Sequence, residues 1–294
     1  MALLPQVKAR LSLHTHREAL GLLDGVHATV RAGRSMDFND LRDYVRGDDV
    51  KDIDWKASAR TRSLLVKRYE ATRQHTVLLA VSTGRSMAAH LESGVIKREV
   101  AVFAAGVIGL AAVRHGDRVG LACGSGTEQH YLPPASGDLH LERCLQQVDE
   151  TTTSSAGPAD LGNLLGHVAR SYRRRAMVVV VCDDLEIDDA ALSALRRLVV
   201  QHEVIMLFIA DLDPTRLGSD ATVMDVDRGT ALPDWVLRDA ALADAYDEAL
   251  ALARLSLAER LATLGIVHAT VHDEASTLTT IHRLLESHRR GGRR

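Results

Sequence analysis

The chain has 294 residues, 46% of them hydrophobic and 26% charged, a balance that excludes disordered and fibrous classes and suffices for a buried core. A formal net charge of −3 supplies no global field toward nucleic acid or an anionic membrane, so neither is expected as a partner. Three cysteines at wide spacing, Cys123, Cys144 and Cys182, form neither a disulfide framework nor a paired zinc motif, and they predict buried thiols in a reducing, cytoplasmic setting.

The first residues lack a charged segment followed by a long apolar stretch, so no secretory signal is read there. Residues 1–73 read as an N-terminal extension, with an amphipathic helix-like opening, a glycine-bearing stretch at 25–33 and a dense polar run at 38–60. From about Gln74 to the end, short apolar runs alternate with segments of helical period. This is the pattern of an α/β domain, a doubly wound, mostly parallel sheet with helices on both faces, over residues 74–294. Strands are predicted at 76–81, 118–123, 129–132, 177–182, 204–210, 222–226 and 266–271. The continuous apolar run Met177-Val178-Val179-Val180-Val181 suits a strand buried on both faces.

Helices are predicted at 96–115, 139–148, 160–172, 189–202, 234–264 and 276–289, with Asp234 and Ser276 as N-caps and a break near Asp239. The longest apolar run, 101–113, falls short of the roughly 20 residues a membrane span needs, so no membrane insertion is expected. The tail from His288 to Arg294, rich in arginine and glycine, reads as a frayed, solvated end.

Residues 41–60 carry the most distinctive pattern. Carboxylates and bases stand in nearly equal number around Trp55, and two readings stay open. In one, Asp48, Asp49 and Asp54 pin the extension through ion pairs and hydrogen bonds, Arg60 grips a carboxylate bidentately and Trp55 fills a groove. In the other, Asp48, Asp49, Asp52 and Asp54 build the acidic site of a metal-dependent, hydrolase-like enzyme. The balance of opposite charges favours scaffolding over chemistry.

The order Arg42-x-Tyr44-x-x-Gly47-Asp48-Asp49-x-Lys51-x-Ile53-Asp54-Trp55-x-x-Ser58-Ala59-Arg60 resembles the signature of the bacterial family called domain of unknown function 58, DUF58. The similarity continues through Val66-Lys67-Arg68-Tyr69-Glu70, His115-Gly116-Asp117-Arg118, Tyr131-Leu132-Pro133-Pro134 and Arg173-Arg174-Arg175. The resemblance implies a von Willebrand factor A-like fold and a non-enzymatic role as an accessory of MoxR-type AAA+ ATPases in assembling or maturing other proteins.

It also directs attention to the loop after the first core strand. In von Willebrand factor A domains that loop reads Asp-x-Ser-x-Ser and, with a Thr and a second Asp from later loops, binds Mg²⁺ through hard oxygen ligands. Set against that pattern, Ser82 stands at the first Asp, Gly84 at the middle Ser and Ser86 at the last Ser. Ala159 stands at the Thr, and Asp183, with Asp184 beside it, at the second Asp. Arg85 adds charge that opposes a divalent ion. The expectation is therefore a degenerate adhesion site with no metal and no other cofactor. Water, or a basic side chain such as Arg85, would pair with Asp183. Ser82, Thr83, Gly84, Arg85, Ser86, Ala159 and Asp183 would rim a surface that binds a protein partner. The alternative makes Asp183 and Asp184 the carboxylates of a metal-dependent enzyme.

Other motifs are weaker. Gly84-Arg85-Ser86-Met87-Ala88 lacks the second glycine of a nucleophile elbow. Gly124-Ser125-Gly126 lies between two strands and reads as a hairpin turn, and no Walker-type loop is present. The fourteen histidines are scattered, without the i, i+4 spacing and glutamate of a zinc helix.

Overall fold

The computed structural model describes residues 2–13, 38–45, 53–61, 63–69, 74–184, 187–217, 223–233, 235–236 and 239–291. The chain divides into two compact units, one of Met1–Thr29 with Thr76–Arg294 and one of Val30–His75.

The smaller unit contains an antiparallel pair, β1 (Phe38–Asp43) and β2 (Leu65–Tyr69), joined through a short helix, α2 (Trp55–Thr61). The larger unit opens with α1 (Leu3–Leu13). Its sheet comprises β3 (Thr76–Ser82), β4 (Arg118–Gly124), β5 (Gln129–Ala135), β6 (Met177–Asp183), β7 (Glu203–Ile209) and β10 (Val267–Val271), in the order β10-β7-β6-β3-β4-β5. All neighbours are parallel except β5, which runs antiparallel to β4 at the edge. This is the expected doubly wound, mostly parallel class. The order reverses between β3 and β6, so the crevice beyond their carboxyl ends is where such a fold gathers ligands.

The central strands β3 and β6 are buried along their whole length, as their unbroken apolar runs predict for a sheet covered on both faces. One face is covered by α3 (Lys97–Arg114), α4 (Asp138–Thr151) and α8 (Thr277–Gly291). On the other, α5 (Leu161–Ser171), α6 (Asp189–Gln201) and the last turns of α7 (Ala240–Thr263) bury Leu164, Leu195 and Leu261 against Val178, Val180 and Met206. Helix α3 is buried almost all round, because it is the central helix of its layer. Helix α1 docks on the α4 side, where the Glu142 carboxylate accepts from Leu3 N at 2.8 Å and Leu4 N at 2.6 Å and so satisfies the orphan donors of the first turn. Among the described residues no helix is long and apolar enough to cross a membrane.

Four local expectations need correction. Among the described residues the run at 222–226 yields only β8 (Met224–Asp225), paired with β9 (Thr230–Ala231) in a hairpin outside the main sheet; the run is short and Asp225 interrupts its apolar residues. Helix α7 begins after Asp239, whose carboxylate accepts from Ala241 N and Leu242 N, while Asp234 lies outside the described residues. Before α8 the capping carboxylate belongs to Asp273, which takes Ser276 N–H at 2.6 Å, and the Ser276 hydroxyl donates to the Asp273 carbonyl instead of accepting. Helix α8 also continues through Gly291, with His288 Nε2 3.6 Å from Glu203 Oε2, so the tail is ordered further than its composition suggests. The three cysteines are buried and form no disulfide, and burial pushes the thiols of Cys123 and Cys144 up to about 12, which keeps them protonated.

Candidate functional site

Strand β3 ends at Ser82, and the chain then turns through one 3₁₀ turn, Arg85–Ala88. A bend follows in which His90 pairs with Ile96 and Leu91 N donates to Val95 O. This bend returns the chain to the strand end, and Lys97 N donates to Ala89 O as α3 begins. The first residue of the buried helix therefore lies at the point where strand order reverses.

That residue is a lysine whose side chain is 1% exposed. Its Nζ donates to Asp183 Oδ2 at 2.6 Å and lies 2.6 Å from Asp211 Oδ1. Asp183 is the last residue of β6, and Asp211 follows β7, so one ammonium ties together the carboxyl ends of two strands and the start of α3. Burial disfavours the charged lysine, but the carboxylates of Asp183 and Asp211 outweigh it and leave the Lys97 pKa raised above its ordinary 10.5. Lys97 is a cation throughout the physiological range.

This donor set does not suit a resident Mg²⁺. The ion wants several oxygens in octahedral array, and here the two converging carboxylates already share an ammonium that a divalent cation would have to displace. Asp184 is likewise engaged, with Oδ2 2.6 Å from Arg254 Nη2. Among the described residues no group of three or more His, Cys, Asp or Glu side chains is arranged to hold a metal.

Of the expected occupants beside Asp183, water or a basic side chain such as Arg85, the structure has a basic side chain there, and it is Lys97. Arg85 leans the other way, its Nη1 donating to the Asp227 carbonyl at 3.4 Å and its Nε lying 3.8 Å from Asp227 Oδ1. The expected rim is corrected. Ser82, Thr83, Gly84 and Asp183 are buried, and only Arg85, Ser86 and Ala159 reach the surface in part. The cause is a lacing of three loops: Thr83 N donates to Gly124 O, Arg85 N to Gly157 O and Gly126 N to Pro158 O. Gly84 and Ala159 are pressed together, since a Cβ on Gly84 would lie 2.6 Å from Ala159 Cα. The absent side chain at Gly84 is thus a packing requirement.

In the signature segment, Asp54 Oδ1 accepts from Lys56 N at 3.1 Å and Ala57 N at 3.0 Å, which caps α2. Asp54 N donates to Leu65 O, and the buried Ser58 hydroxyl accepts from Leu65 N at 2.8 Å. Tyr44 N donates to Leu64 O. Trp55, the first residue of α2, is 62% exposed and fills no groove among the described residues. Arg60 is exposed in the last turn of α2, and Arg42 lies on β1. Gly47, Asp48, Asp49, Lys51 and Asp52 lie outside the described residues.

Lys97, Asp211 and Arg254 were not singled out from the sequence. Lys97 carried one signal, a cation in the first turn of a helix where the macrodipole disfavours it. Such a residue needs anions nearby.

Residues 40–254 match the family described as Protein of unknown function DUF58. The chain belongs to this family. The uncharacterised protein Rv1480 of Mycobacterium tuberculosis is 28% identical over 287 residues, covering 96% of this chain and 88% of that protein, and the uncharacterised protein Mb1516 of Mycobacterium bovis matches equally. Among solved structures, the conserved hypothetical protein BatB from Bacteroides thetaiotaomicron superposes with a TM-score of 0.47 at 17% identity, covering 74% of this DUF58 chain and 99% of BatB. An aerotolerance-related membrane protein from Bacteroides fragilis gives 0.47 at 18% identity, covering 72% and 99%. A von Willebrand factor type A protein from Catenulispora acidiphila gives 0.42 at 11% identity, covering 75% and 44%.

Proposed function

We propose that this DUF58 chain is a non-catalytic, cytoplasmic protein-binding accessory, acting with a MoxR-type AAA+ ATPase through a degenerate, metal-independent adhesion site. The observation that carries this reading is the Lys97 ammonium, 2.6 Å from both Asp183 and Asp211. A lysine supplies in permanent form the positive charge that a divalent ion supplies reversibly, so the carboxyl edge of the sheet is held without a metal. The same ammonium is too deeply buried to act on a substrate, and Asp183 and Asp184 each already have a cation, which speaks against a hydrolytic pair. The contact surface would then be what remains accessible at that edge, Arg85, Ser86 and Ala159 together with the acidic ground beyond β7.

Melting curves in EDTA and in millimolar Mg²⁺ or Mn²⁺ test the metal-independent part. A ligand that binds only the folded state raises the melting temperature by mass action. The expected shift is none, and a rise that saturates with either ion would overturn the reading. Light scattering of the purified chain mixed with a purified MoxR-type ATPase from the same organism tests the partner. A defined complex is expected, and its absence in every nucleotide state would remove the ATPase from the proposal.

A further inference from the structure

Beyond the ends of β6, β7 and β10 lies a recess of about 180 Å³, lined among others by Glu92, Asp184, Asp211, Asp213, Tyr246 and Arg254. It is smaller than the roughly 300–1,000 Å³ typical of cofactor and metabolite pockets and matches a single side chain better than a whole small molecule. Carboxylates dominate its wall, and their field is felt locally: burial first, then the charges of Asp211, Asp213 and Asp184, raise the Tyr246 phenol above its ordinary pKa.

An acidic wall alone identifies no guest, but Asp184 adds a second observation. Its side chain is 4% exposed, and only Oδ2 is satisfied, by Arg254 Nη2 at 2.6 Å. Oδ1 is buried without a hydrogen-bond partner. A buried carboxylate oxygen left without a donor is costly, and a carboxylate is best completed by a planar fork that serves both oxygens. Arg254 reaches in from α7 with its side chain 42% exposed, so the recess already accepts a guanidinium nitrogen from the solvent side, while Oδ1 stays covered and unserved as long as Arg254 is in place.

We propose that this recess receives an arginine side chain of the partner protein, whose guanidinium completes Asp184, faces Asp211 and Asp213, and lies against the Tyr246 ring. Arg254 is the internal placeholder that the guest displaces. Arginine suits the site better than lysine because its fork matches a carboxylate, it is less strongly hydrated, and it stacks on an aromatic face. The polarity is the reverse of a metal-mediated contact: the partner contributes the base and this domain the acids. The inference rests on the protein-binding reading above and specifies its chemistry.

The test uses the full chain, titrated by NMR with an acetylated Gly-Arg-Gly amide, its lysine and citrulline counterparts, and spermidine. The arginine peptide is expected to saturate the amides around Asp184 and Tyr246, the lysine peptide to bind several-fold more weakly and the citrulline peptide not at all. Asp184→Asn should weaken the arginine peptide at least tenfold, and Glu92→Gln, at an exposed position, should weaken it less with the fold intact. Arg254→Gln should tighten it, because the internal competitor is gone. Equal binding of the citrulline peptide, tighter binding of spermidine, or no gain with Arg254→Gln would each overturn the proposal. A purified ATPase that binds the parent and Asp184→Asn equally would overturn this inference and leave the protein-binding reading intact; an ATPase that binds neither would count against the partner itself.

Discussion

Aspartates mark both the sheet edge and the signature segment, yet the two regions use them in opposite ways. At the sheet edge Asp183 is buried and held by the Lys97 ammonium, so charge is neutralised by charge inside the core. In the signature segment Asp54 is half-buried and accepts two backbone N–H groups at the start of α2, so its carboxylate serves orphan donors of a short helix. The same residue type therefore carries very different energetic weight in the two places. A buried charge stripped of its partner is expensive, whereas a cap at a wetted helix end is a modest contribution.

The largest expected effect follows from Lys97. Replacing it in Lys97→Met takes the ammonium away from the buried Asp183 and should cost about 3–5 kcal/mol in urea unfolding. The double change Lys97→Met with Asp183→Leu should recover most of that loss, because a well-packed apolar pair replaces a desolvated ionic one and Asp211 stays partly exposed to water. A double variant as unstable as the single one would show that the lysine acts through something other than its charge. The pH dependence has a fixed sign. A lysine whose folded pKa is raised contributes stability that is fully present below its ordinary 10.5 and is lost as pH rises through the higher folded value. The parent should thus show an alkaline loss of stability above pH 10.5 that is missing from the double variant.

Intermediate in size is Gly84→Ala, which sharpens the contrast by touching the same edge without touching charge. The added Cβ would meet Ala159 Cα at 2.6 Å and its N at 2.7 Å, both backbone atoms that cannot swing aside. Forcing the two loops apart should cost about 1–3 kcal/mol in the same unfolding assay. An unchanged midpoint would mean that the laced loops yield easily and do not hold the strand ends.

The strands were legible because a sheet covered on both faces demands unbroken apolar runs, and Met177–Val181 and Val77–Val81 satisfy that demand in one dimension. The family signature was legible as a string, and its local hydrogen bonds from Asp54 and Ser58 span only a few residues. The ionic centre was not legible, because Lys97 and Asp183 are 86 residues apart and meet only after α3 has been laid across the sheet. Motif logic drew attention to Arg85, the nearest cation in sequence, while the chain's bend from His90 to Ile96 delivers a more distant one. Asp234 and Asp239 were equivalent as candidate caps by composition, and only the position of α7 separates them.

The smallest expected effect distinguishes a cap from a catalytic carboxylate. Asp54→Ala removes the acceptor for Lys56 N and Ala57 N and should cost about 1 kcal/mol, seen most directly as faster hydrogen exchange at those two amides. Asp54→Asn keeps a side-chain oxygen of similar reach, and asparagine caps helices about as well as aspartate, so exchange there should remain close to the parent's. A metal ligand or general base would respond differently, because an amide supplies neither the charge nor the basicity, and the asparagine variant would then be as impaired as the alanine one. Divergence of the two variants keeps Asp54 a structural residue; convergence would return the acidic run of the signature to chemistry.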